Sequence, residues 1–215
     1  LVGADADSLE LVCLAHYMND PDFTKAVSEG NKDDGTDPHT RNQRAAGLST
    51  RDDAKTFIYA FLYGAGDAKI GSIVGGSARD GAKLKAKFLD STPALKSLRD
   101  AVQQAAKRGW LKGLDGRKIT VLSQHAALNT LLQSAGAIIM KRALVILEEH
   151  IAMRGLDAHP VGNIHDEMQY EVAEKDVETM TWLMPSCIAA AGKFYNLRCP
   201  LKGSASVGDT WYETH

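Results

Sequence analysis

The chain has 215 residues, of which 44% are hydrophobic, and a formal net charge of −2. That is enough apolar content for a sizeable core in one or two domains, and so small a net charge does not by itself indicate a nucleic-acid partner. No apolar run reaches about 18 residues, so no membrane span or membrane partner is expected, and no signal peptide is visible. Charge is unevenly spread. Between Arg79 and Lys118 there are eleven Lys/Arg and four Asp/Glu, an excess of seven positive charges, so the remainder carries −9. Acids gather from Glu148 to Glu178. A basic half beside an acidic half suits a protein that grips one anion and holds cations elsewhere; an ordinary solvated surface is the plain alternative. Cys13, Cys187 and Cys199 are three, widely spaced and without a C-x-x-C, which points to a reducing, intracellular setting without zinc.

In chain order, LVGADA at residues 1–6 reads as a buried strand, which needs neighbours to pair with. Because it begins at residue one without a Met, upstream sequence is expected to be missing or supplied by another chain. Residues 8–18 read as a helix, with Asp7 or Ser8 as N-cap and Glu10 placed for a capping box. Residues 28–48 are polar and read as loop or short helix. Thr50 caps a helix over 51–63 that stops at Gly64-Ala65-Gly66. A short helix over 67–75 and helices over 79–90 and 93–107 follow, the last with Pro93 in its first turn. GLDGRK at 113–118 is a turn, 123–153 a long apolar-periodic helix, and 160–172 a hairpin. Residues 175–194 are helical with an interruption at Pro185. The tail is strand and turn.

In the helix over 51–63, Arg51, Lys55, Tyr59 and Tyr63 recur every four residues. Four-residue steps advance only about 40° around the axis, so the four share one face, and Ala54, Phe57, Ile58, Phe61 and Leu62 fall on the other as core. Two cations without interleaved acids repel, and Tyr is a poor choice for pure exposure. A polyanion carrying a flat ring reconciles both facts, with phosphates on the cations and sugar or base on the rings. A nucleoside triphosphate fits that description.

The acids supply the second half. In NIHDEMQYEV, residues 163–172, Asp166 and Glu167 adjoin between apolar flanks, and the following residues alternate as a strand does. Neighbouring carboxylates cost electrostatic energy unless a cation compensates. Asp5 ends the first strand just before a helix. Oxygen-only ligands favour Mg²⁺, and a two-metal phosphoryl-transfer site uses carboxylates from separate strands to bridge ions about 4 Å apart. In HAALNTLLQ, His125, Asn129 and Gln133 are again spaced by four. Amides on one stripe need partners, which a neighbouring helix or the minor-groove acceptors of a duplex would supply.

These stretches together resemble the C-terminal part of family A DNA polymerases, closest to the replicative polymerases of short-tailed phages. DADSLEL (5–11) matches the family's first palm motif, RDDAKTFIYAFLYGAG (51–66) its fingers-helix motif and IHDE (164–167) its third motif, joined in order by HAALNTLLQSAGA (125–137). The resemblance implies an α+β fold, with an antiparallel palm sheet over 1–16 and 130–215 and helical fingers over 17–129. It implies template-directed DNA synthesis with two Mg²⁺ ions held by Asp5, Asp166 and the Ala6 carbonyl, and Glu167 as an accessory acid near the primer end. Arg51 and Lys55 would hold the triphosphate, Lys55 also giving a proton to pyrophosphate. His39 would touch phosphate, Tyr59 would lie against the deoxyribose, Tyr63 would guard the templating position and Glu10 would exclude ribonucleotides. His125, Asn129 and Gln133 would check base-pair geometry; Arg117 and the cations of 79–112 would contact DNA phosphates, and His165 the primer end. The helix over 51–63 would swing between open and closed positions.

Val12 and Ala60 depart from the family's Arg and Gly without removing a ligand. Partners implied are primer-template DNA, deoxynucleoside triphosphates and an N-terminal polymerase fragment that carries the thumb, with or without an exonuclease domain, in the cytoplasm of a phage-infected bacterium. The chain would then be the C-terminal half of a split or processed enzyme; His215, where related phage enzymes also end in His, would be its authentic end. The rival readings are a non-catalytic nucleotide- or nucleic-acid-binding module, a structural subunit of a replication complex, and an RNA polymerase on the same fold, the last disfavoured by Glu10.

Overall fold

Every residue of Val2–Ala6 (β1) except Asp5 is buried, because it is an inner strand of a four-stranded antiparallel sheet. A computed structural model describes residues 1–215 and orders this sheet β4-β5-β1-β6, with β4 at Ala158–Ile164, β5 at Glu167–Val172 and β6 at Gly203–Val207. The register sets Asp5 against Glu167 on one side and Ser204 on the other. Gly3 has a reason to lack a side chain: a Cβ there would lie 2.3 Å from the Gln169 amide and 2.7 Å from the Thr214 carbonyl oxygen.

The chain divides into two compact units, residues 1–13 with 134–215, and residues 14–133. The division falls inside two helices, Leu9–Met18 (α1) and Ala127–Arg154 (α8). In the first unit the sheet is covered by Val177–Phe194 (α9), which buries Met180, Leu183, Met184, Cys187, Ile188 and Ala191 and packs on β1 and β6. This helix runs through Pro185 without interruption, contrary to expectation. A proline inside a helix costs about 3 kcal/mol, and burial of Leu183, Met184, Cys187 and Ile188 on either side, at roughly 1.5–3 kcal/mol for each large apolar side chain, outweighs it. A single 3₁₀ turn, Glu174–Asp176, precedes α9, and Trp211–Thr214 (α10) follows β6.

The second unit is mostly helical: Pro21–Glu29 (α2), Pro38–Ala46 (α3), Arg51–Leu62 (α4), Asp67–Ile73 (α5), Ala78–Ser91 (α6) and Pro93–Ala106 (α7), then a two-stranded ribbon of Trp110–Lys112 (β2) and Lys118–Thr120 (β3). All five expected core residues of α4 are buried. Phe57 meets Phe88 edge-on at 5.0 Å between ring centroids, and Phe61 meets the same ring at 5.6 Å. A smaller core of Val102, Ala106, Leu111, Val121, Ala127 and Leu131 joins α7, the ribbon and the start of α8.

The polar stretch 28–48 holds one short helix, α3, while α2 forms in a segment to which the sequence assigns no element; each is opened by an Asp-Pro pair in which Asp20 or Asp37 caps the helix and Pro takes its first position. Three expectations change. Ser8, directly before α1, adopts a left-handed backbone, φ 52°, and not the extended one of a capping-box N-cap. The helix expected from residue 123 begins at Ala127. And α8 is, by length and composition alone, apolar enough to cross a membrane, although no such run was expected; half of its most apolar window is buried inside the fold, with Leu131, Ile139, Ala143 and Leu147 in the core. The three cysteines are buried and unpaired, and burial pushes their thiols up, Cys13 to about 12 and Cys187 and Cys199 to about 11.

Candidate active site

The first unit carries the acids. β4 and β5 are joined through a turn at His165 and Asp166, in which His165 is exposed with φ 54°. Pairing of β5 with β1 brings that turn to the end of β1, where the Ala6 N–H donates to the Asp166 carbonyl at 3.0 Å. Asp5 and Asp166, 161 positions apart by number, thereby line one cleft of about 410 Å³ together with Glu167, His165 and His215. Partial desolvation at the floor of the cleft raises the Asp5 carboxyl to about 6, and the negative charges of Asp166, Glu167 and Asp7 push in the same direction against His215.

Glu167 is not a free carboxylate. Only 5% exposed, it accepts hydrogen bonds from the Gln169 amide, from Trp211 Nε1 at 2.8 Å and pairs with His215 Nδ1 at 2.7 Å. Burial opposes its ionisation, yet these donors hold its pKa below the usual value. Thr214 Oγ1 donates to Gln169 at 2.9 Å and completes the attachment of the C-terminal turn to the sheet. Glu167 is thus committed to that turn, which leaves the cleft with two available carboxylates, Asp5 and Asp166. No group of three or more His, Cys, Asp or Glu side chains forms a metal cage, so a cation here would draw its other ligands from main chain, water or substrate. The donor chemistry fits such an ion: oxygen-only, acidic, with a carboxyl that desolvation and then like charges keep from ionising freely, as expected for a hard dication such as Mg²⁺.

The Asp5 shift has a sign. A carboxyl whose folded pKa is raised contributes stability that is present below its unfolded value, near pH 4, and lost as pH rises through about 6. The full shift would correspond to about 3 kcal/mol, but Asp5 is solvent-exposed and screening reduces this to about 1 kcal/mol. Asp5→Asn is therefore expected to stabilise the metal-free chain by about 1 kcal/mol at pH 8 and to leave it unchanged at pH 4, as read from urea unfolding midpoints. Glu10, in the first turn of α1, is half-buried in the same unit.

The second unit carries the cationic and aromatic face. On α4, capped by Thr50, Lys55 is exposed, Tyr59 half-buried and Tyr63, the C-cap residue, 51% exposed. The Tyr59 and Tyr63 rings stack at 6.4 Å, and His39 from α3 sits 6.0 Å from Tyr59. The expectation of cations without acids is corrected: Asp37, 6% exposed at the side chain, pairs with Arg51 at 2.9 Å and also caps α3. Burial alone would raise Asp37, but hydrogen bonds from Arg51 and Thr40 bring it down to about 2. Arg51 is thus fixed in orientation while keeping 35% of its side chain exposed. His39 is held below its usual pKa by burial and by Arg51 and Lys55, and its Nδ1 is buried without a partner. His39, only 7% exposed, thus packs as a neutral imidazole beside the two cations.

The remaining positions separate. Asn129 and Gln133 share a face of α8, but His125 lies in the turn before that helix, so the three do not form one helical stripe. His125 instead lines a cleft of about 630 Å³ with Phe61, Gly64, Lys85 and Arg99. Arg117 pairs with Asp115 inside its turn at 2.6 Å. Sequence reading missed Asp37, Gln169 and Trp211. The Asp-Pro pair signals Asp37 as a cap, while nothing local signals the other two.

The family model for DNA polymerase family A matches residues 1–213. The DNA-directed DNA polymerases of Enterobacteria phage T3 and Escherichia phage T7 are each 43% identical to this chain across 99% of it, and the match covers 33% of each of those proteins. The chain thus spans about a third of the curated relatives it matches. Among solved structures, the POL domain of Pol1 from M. smegmatis, in complex with DNA primer-template and dNTP, superimposes with a TM-score of 0.83 at 23% identity, over 99% of this chain and 40% of that one; at that identity the likeness is one of fold.

Proposed function

This chain belongs to DNA polymerase family A, and from that membership we propose that it is the catalytic part of an enzyme that extends a DNA primer along a template by two-metal nucleotidyl transfer. The observation that carries the reading is the convergence of Asp5 and Asp166 on one cleft through strand pairing. The first unit is then the palm and the second the fingers.

Asp5 and Asp166, with the Ala6 carbonyl, would hold Mg²⁺, which when bound supplies Lewis-acid charge neutralisation for phosphoryl transfer. Arg51, pre-oriented by Asp37, and Lys55 bind the triphosphate. The neutral His39 donates to a phosphate oxygen, and Lys55 gives a proton to the departing pyrophosphate. Tyr59 lies against the deoxyribose, Tyr63 guards the templating position and Glu10 excludes a 2′-hydroxyl. Asn129 and Gln133 meet minor-groove acceptors. Glu167 holds the C-terminal turn and with it the wall of the cleft, and His165 and His215 border the primer end. The protein's contribution is placement and charge.

The relatives are about three times longer than this chain, and grip on the duplex is assigned to an N-terminal companion that carries the thumb. The test is primer extension with deoxynucleotides by this chain, alone and mixed with the N-terminal portion of a phage relative. Extension is expected only in the mixture and only with Mg²⁺; no extension in the mixture would overturn the catalytic reading, and full extension by the chain alone would overturn the companion.

A further inference from the structure

The ribbon of β2 and β3 is amphipathic in a way the catalytic reading does not use. Its register pairs Trp110 with Thr120, Leu111 with Ile119 and Lys112 with Lys118. Side chains alternate across a strand, so Leu111 and Ile119 share one face while Trp110, Lys112, Lys118 and Thr120 share the other. The first face is in the core, with Leu111 at 3% exposure and Ile119 packed on the same cluster. On the second, Lys112, Lys118 and Thr120 are exposed.

Trp110 sits among cations. The Arg108 guanidinium lies 3.8 Å from its ring centroid and Lys118 Nζ 5.0 Å. Two cations gathered on one indole repel each other, and the acid nearest in sequence, Asp115, is already engaged by Arg117. A polyanion would relieve the repulsion by drawing the cations off the ring and onto phosphates, which frees the indole face for a flat partner. Such a partner must have an unpaired base to offer, because aromatic side chains stack on bases only when those are unstacked from a duplex. A ribbon three residues long in each strand reads no groove but suits a single strand lying across it.

We propose that this outer face binds single-stranded DNA, with phosphates on Arg108, Lys112 and Lys118 and a base on Trp110. The inference deepens the reading of DNA as partner, since it rests on that reading and adds where an unpaired strand would run.

The test is binding of a labelled short oligothymidylate to the 215-residue chain without nucleotide or Mg²⁺, so that catalysis does not enter. The emission of Trp110, isolated in a Trp182→Phe, Trp211→Phe background, should be quenched as the oligonucleotide binds. Trp110→Ala should weaken binding about tenfold, Trp110→Phe should restore most of it, and Lys118→Gln should reduce the salt slope by about 0.7. A blunt duplex should bind the unsubstituted chain no better than the oligonucleotide binds Trp110→Ala. Circular dichroism identical among the variants keeps a folding defect from mimicking the result. Unchanged affinity in Trp110→Ala would overturn the proposal, as would equal quenching by polyglutamate, which would make the face a seat for acidic peptides. If extension fails while oligothymidylate binding depends on Trp110, the catalytic reading falls alone; if extension proceeds and Trp110→Ala binds normally, this inference falls alone.

Discussion

Asp166→Asn should reduce primer extension in the companion mixture on the order of 10⁴-fold, about 5.5 kcal/mol of transition-state stabilisation. The substitution preserves shape and leaves intact the main-chain bond in which the Ala6 N–H donates to the Asp166 carbonyl, so the hairpin keeps its register. What it removes is one of the two carboxylates the cleft has available, because Glu167 is already engaged by Gln169, Trp211 and His215. Arg51, Lys55 and the tyrosines belong to the other unit and are untouched, so KM for the nucleotide should change little while kcat falls. Single-turnover extension over a nucleotide titration measures both. A loss below tenfold, with folding intact, would mean that Asp166 does not take part in the chemistry.

A comparably large effect is expected from a residue with no role in chemistry. Phe57 is fully buried and lies edge-on against Phe88, which also receives Phe61. Phe57→Ala removes one ring of that cluster and should cost about 3–5 kcal/mol. The loss falls on α4, whose other side presents Arg51, Lys55, Tyr59 and Tyr63, so nucleotide affinity should fall with stability. Lys55→Ala gives the contrast: exposed and outside the core, it should change stability by less than about 0.5 kcal/mol while weakening triphosphate binding. Urea unfolding of both variants separates the two contributions; equal midpoints would contradict the assignment of inner and outer faces to α4.

The face of α4 was legible because five buried and four outward residues follow one helical period, and local pattern decides there. The hairpin and β1 were legible for a similar reason, since alternation and a buried run report burial directly. The partner of Arg51 was not, because Asp37 lies 14 positions upstream and pairing between helices leaves no trace in either helix's own pattern. Glu167 reads as one of two adjacent acids, but its environment comes from Trp211 and His215, more than 40 positions away. The His125 spacing misled because a four-residue interval implies a shared face only inside a helix, and the helix starts two residues later. At Pro185 a local propensity was overridden by the burial of its neighbours. In each case the sequence reports faces and periods, whereas partners arise from topology.

The most direct measurement is Mn²⁺ binding, with Mn²⁺ standing in for Mg²⁺ as an oxygen-liganded dication, followed by the electron paramagnetic resonance signal of the free ion for the unsubstituted chain, Asp5→Asn and Asp166→Asn. Binding should be saturable, and each single substitution should weaken it at least tenfold. Binding that survives both substitutions unchanged would show that the two aspartates hold no metal, and the catalytic assignment would fail with it.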